Sequence, residues 1–72
     1  MSDLDAQLLA AHNARDHAAL IGLYAQAATA APDLDTACFF LTHAYVFALE
    51  QGDTRATALR AQLVRHGRET AD

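Results

Sequence analysis

The sequence predicts an all-α fold: four short helices arranged as two helix–turn–helix pairs in one small domain, residues 1–72. Three observations predict it. Apolar residues recur at three- and four-residue spacings along most of the chain, and no stretch holds the two-residue alternation of a strand. Serine or aspartate stands ahead of each apolar run, with glycine, proline or a polar turn after it. Eighteen of the 72 residues are alanine, the strongest helix former, whose small side chain also lets helix axes approach closely.

The first helix is expected from about Asp3 to Asn13, with Ser2 as N-cap and Asp3 and Asp5 facing the positive end of its dipole. Leu4, Leu8 and Ala11 form its apolar stripe, with Leu9 beside it. Asp16 caps the second helix, about His17 to Ala30, whose buried face reads Leu20, Leu23, Tyr24, Ala27 and Ala31. Gly22 in mid-helix costs about 1 kcal/mol against alanine unless something packs closely there. Pro32 ends this helix, because the residue before proline is pushed out of the helical region.

The third helix, about Leu34 to Gln51, is capped by Asp33 or Asp35 and closed by Gly52 at the position that favours a left-handed backbone. At about 100° per residue, Ala37, Leu41, Ala44 and Ala48 fall on one side. Cys38, Tyr45 and Leu49 lie to one flank, Phe40 and Phe47 to the other, and Phe39 and Val46 nearly opposite. Only Thr36, His43 and Glu50, seven residues apart, make a polar stripe. A helix apolar nearly all round has to be covered nearly all round, and a chain this short has little material to do it. Asp53 caps the fourth helix, about Thr54 to His66, which buries Ala56, Leu59 and Leu63. Gly67 closes it, and residues 68–72 are expected to fray.

Size and charge narrow the function. A domain this small buries only about 60% of its unfolded surface, so partners or self-association are an ordinary source of stability. Cys38 is the one cysteine and has no partner within the chain for a disulfide. Inside an apolar run it reads as a small buried residue, which fits a reducing cytoplasm. The acidic start lacks the basic region of a secretory signal, and residues 37–49 fall short of the roughly 20 apolar residues that span a bilayer. The expected location is therefore cytoplasmic, with no membrane insertion. Net charge is −4, with no lysine; arginine in its place beside abundant alanine is a usage typical of high-GC bacterial genomes. Residues 1–53 carry seven acids against Arg15 alone, whereas residues 54–72 carry four arginines against Glu69 and Asp72. The acidic total argues against nonspecific nucleic-acid binding, which needs many phosphate contacts.

The turns at Arg15-Asp16 and Gly52-Asp53 sit 37 residues apart, and Ala11/Ala48, Ala19/Ala56 and Leu4/Leu41 correspond at the same offset. A period of this length in an all-helical chain is the mark of a helical repeat. Ala37-x-x-x-Leu41-x-x-Ala44 has the small-large-small form of the second helix of a tetratricopeptide repeat. Ile21, Tyr24, Ala25 and Ala28 fall at the positions of that repeat's first helix, and Gln51-Gly52-Asp53 resembles the loop that opens the next one. Residues 18–51 thus resemble one degenerate tetratricopeptide repeat with a half-repeat on either side. The usual tryptophan is missing, Ala28 replaces a common tyrosine, Leu49 stands for the closing proline, and Pro32 lies within the repeat. The resemblance implies hairpin packing of that kind and carries over no peptide-binding residue.

No motif for chemistry emerges. Cys38 and His43 sit about 140° apart on one helix, no HxxxH or CxxC pair exists, and zinc needs three or four ligands. Gly22, Gly52 and Gly67 are isolated, so no loop cradles phosphate. Neither catalysis nor a cofactor or metal is expected. The expected function is a non-catalytic protein–protein interaction module, an accessory subunit or adaptor that docks through Thr36, Phe39, His43, Val46, Phe47 and Glu50. The partner is another protein or a second copy of the chain, and His43 is the group able to make the contact pH-sensitive. The alternative is a helix-turn-helix DNA-binding regulator that uses Arg55, Arg60 and Arg65 on the fourth helix.

Overall fold

The computed structural model describes residues 3–69. It contains four helices: α1 (Asp3–Ala14), α2 (His17–Ala30), α3 (Leu34–Gln51) and α4 (Arg55–Arg65). The expected cap Ser2 lies outside the described residues. Asp16 accepts a hydrogen bond from the N–H of Ala19 (3.2 Å) and so caps α2. Of the two candidates for α3, Asp33 is the cap; its carboxylate accepts from the N–H of Thr36 at 2.8 Å. Ala31 turns to extended backbone ahead of Pro32, as the proline ring requires.

The C-terminal signals hold as well. Gly52 takes φ +62° and sends its N–H to Ala48 and Leu49, and Gly67 takes φ +71° after α4. The start of α4 differs from expectation. Thr54 is its N-cap and makes no side-chain cap bond. Asp53 instead accepts from the N–H of Arg55 (2.8 Å) and clamps the Arg55 guanidinium at 2.9 Å, one residue earlier than a helix cap. After α4 the N–H of Arg68 reaches the Leu63 carbonyl, and its guanidinium holds Asp35.

Among the described residues each helix backbone packs only on its neighbours in sequence, α1 on α2, α2 on α3 and α3 on α4. The result is a thin array, 35 × 29 × 12 Å between Cα extremes, with the α2–α3 hairpin at its centre. Ile21 and Ala28 of α2, Cys38, Leu41, Ala44 and Ala48 of α3, and Leu59 and Leu63 of α4 form one continuous core. Ala44 and Ala48 are fully buried, which lets the central axes approach closely. The anticipated faces of α3 and α4 are observed. On α1, Ala11 is buried, Leu4 and Leu8 are half-buried and Leu9 is exposed.

On α2, Leu20 and Ala27 of the expected face are buried, Leu23, Tyr24 and Ala31 are only half-buried, and Ile21 and Ala28 are buried as well. Ile21, 1% exposed, joins Leu20 because α2 lies between α1 and α3 and serves both. The two informative glycines should respond oppositely to alanine. A methyl at Gly22 would meet only the tip of Arg55, at an ordinary 3.6 Å. Gly22→Ala is therefore expected to stabilise by about 0.5–1 kcal/mol. Gly52→Ala meets no steric neighbour but forces a left-handed backbone on a side chain, and should cost about 1–2 kcal/mol. Thermal melts of the two variants check both signs.

Candidate functional site

Because α2 and α4 both pack toward the Leu41–Ala44–Ala48 side of α3, the opposite side of that helix is left open. Phe39 and Val46 stand there 58% and 45% exposed, Glu50 is exposed, and Thr36, His43 and Phe47 are half-buried. All six residues singled out from the sequence thus reach the surface, along one face of one helix. Two adjoining hollows share Thr42 and His43. One is also lined by Asp35, Cys38, Phe39 and Arg68, the other by Val46, Phe47 and Glu50.

The face is held in shape by rings. Phe39 packs on His43 (centroids 4.5 Å) and edge-on against Phe40 (5.6 Å). His43 continues to Tyr24 of α2 at 5.1 Å, and Tyr24 stacks on Phe47 at 5.9 Å with the planes 13° apart. Phe47 then meets His17 (5.4 Å) and His12 (6.2 Å), so the ring series runs from α3 across α2 to α1. Hydrogen bonds fix its polar members. His12 Nε2 and the Tyr24 hydroxyl are 2.8 Å apart, and the Gln51 amide donates to His17 Nδ1 at 3.4 Å. His43 Nδ1 donates to the Phe39 carbonyl one turn back (3.0 Å), which places its proton on Nδ1 and leaves Nε2 facing outward from the bond. Sequence reasoning missed His12, His17 and Tyr24 as parts of this face. Their only signal was aromatic character, since they meet Phe47 and His43 through tertiary packing alone.

An ion pair at the start of α4 ties that helix to α2. While held by Asp53, the Arg55 guanidinium also reaches back over Gly22, where its Nη2 donates to the Ala18 carbonyl of α2 at 3.3 Å. Arg55 is thus bonded to the backbone of α2 while its side chain stays 48% exposed, and Arg60 is half-buried. Hydrogen bonds from the Arg55 guanidinium and then from its backbone N–H hold the Asp53 carboxyl down at about 2, from an ordinary 3.8. A carboxyl depressed on folding stabilises the fold above its ordinary value and loses that contribution as pH falls through the folded value. The start of α4 is therefore expected to loosen as pH falls from 3.8 towards about 2. In Asp53→Asn the melting temperature should fall less over that range than in the wild type.

Among the described residues no three histidines, cysteines or acids gather as a metal site, and no helix is long and apolar enough to cross a membrane. Cys38 is buried, 3% exposed, beneath the hollow that Phe39 borders. Comparison with protein-family models, with curated proteins and with solved structures finds no match.

Proposed function

We propose that this chain is a non-catalytic protein–protein interaction module, an accessory subunit or adaptor of the reducing cytoplasm, built on tetratricopeptide-like hairpin packing. It docks through the open face of α3. The observation that supports this reading most is the exposure of Phe39 and Val46 beside half-buried His43 and Phe47, on a helix whose other side is core. Aromatic anchors at the centre of a patch, rimmed by polar groups, are where contact energy concentrates. Burying one such ring contributes roughly 1.5–3 kcal/mol. The ring contacts and the His43 bond to the Phe39 carbonyl hold this patch in place before binding, which lowers the ordering cost of association.

Photo-cross-linking in cells tests the reading. A benzophenone side chain at position 39 is expected to capture a protein partner, whereas the same group at exposed Thr57 on α4 is not. Equal capture at both positions, or capture at Thr57 alone, would overturn the assignment of the face.

A further inference from the structure

The open face of α3 is complementary to itself. Thr36, Phe39, His43, Val46 and Glu50 follow one another at alternating spacings of three and four residues, the seam of a two-helix coiled coil. Phe39, 58% exposed, is the protrusion on this seam. The hollow lined by Thr42, His43, Val46, Phe47 and Glu50 is the recess. Phe39 and Phe47 each lie four residues from His43, on opposite sides. A two-fold axis at His43 sets position 39 of one copy opposite position 47 of the other, and the reverse, which is the reciprocal contact of an isologous interface.

The charges follow the same symmetry. Glu50, seven residues after His43, makes no hydrogen bond or ion pair among the described residues. Seven residues before His43 stands Thr36, next to Asp35, whose carboxylate takes one edge of the Arg68 guanidinium. Arg68 borders the hollow beside Phe39, and its side chain is 41% exposed. A parallel pairing would set Glu50 against Glu50. An antiparallel one sets each Glu50 beside the other copy's Asp35–Arg68 pair, where Arg68 is the cation within its reach.

Resting on the interaction reading above, we infer that the partner of this face is a second copy of the chain. The two α3 helices pair antiparallel about a two-fold axis near His43. Phe39 of each copy enters the recess between Val46 and Glu50 of the other, and Glu50 meets the other copy's Arg68.

Sedimentation equilibrium on the purified chain, with cysteine cross-linking, tests this. Packed helices sit about 8–10 Å apart with Cα atoms about 2.3 Å from each axis, so residues facing across the two-fold axis fall within disulfide reach. The wild type is expected at twice its 7.7 kDa chain mass. Under mild oxidation His43→Cys is expected to link to itself in most of the chains, while Glu50→Cys and Thr57→Cys are not. Buried Cys38 stays in place in all three. A wild type that remains one chain at every concentration overturns the second copy as partner. Dimers that link at Glu50→Cys as readily as at His43→Cys, or at neither, overturn the antiparallel pairing. If either failure accompanies capture of a different protein at position 39, the docking face stands and only the partner is wrong. If position 39 captures nothing, both fall.

Discussion

Ile21→Ala is expected to cost about 2–5 kcal/mol and to lower the melting temperature by on the order of 10–40 °C. Ile21 is 1% exposed and lies in the cluster that joins α2 to Leu41, Ala44 and Ala48 of α3 and to Leu59 and Leu63 of α4. Removing its outer carbons leaves a cavity in the core where α2 packs on α3. A chain of this length has roughly 4–11 kcal/mol of total stability, so the loss is a large share of it. Leu9→Ala is the matching control. Leu9 is 55% exposed, and its removal is expected to change stability by no more than about 0.5 kcal/mol. Thermal melts followed by circular dichroism separate the two. A small effect at Ile21 would mean that α2 is not held between its neighbours as described.

Phe39→Asp is expected to abolish association while leaving the helical dichroism almost unchanged. The Phe39 ring touches Phe40 and His43 but is 58% exposed, so the folded chain loses little when it goes. Aspartate inside a helix costs at most about 0.7 kcal/mol in propensity. The effect on association is larger, because a carboxylate would have to be stripped of water at the centre of the contact. Loss of an anchor there costs about 2 kcal/mol or more, roughly thirtyfold in affinity. Unfolding of the variant would assign Phe39 to the core. No change in either readout would make it an idle surface residue.

Much of this was legible in the sequence because short-range chemistry decides it. Asp16, Asp33, Gly52 and Gly67 mark helix ends through bonds to residues a turn away, so the boundaries of α2 and α3 follow directly. The wheel of α3 separated Leu41, Ala44 and Ala48 from Phe39 and Val46, and the burial pattern repeats that division. What the sequence did not reveal depends on which helix lies beside which. The second buried side of α2, with Ile21, arises because α2 has two neighbours. Arg55 reaching the Ala18 carbonyl and Arg68 reaching Asp35 join positions 37 and 33 residues apart, which no local pattern announces. The same holds for His12 and His17, drawn to Phe47 by the packing of α1 and α2 around Tyr24.

The central claim is that the open face of α3, rather than the core or the arginines of α4, is where this protein meets its partner. The native mass of the tagged chain in a gentle lysate, wild type beside Phe39→Asp, tests it most directly by gel filtration. The wild type is expected to elute in an assembly larger than one chain, and Phe39→Asp at the mass of a single folded chain. Co-elution of the two, whether both large or both as single chains, would contradict the claim.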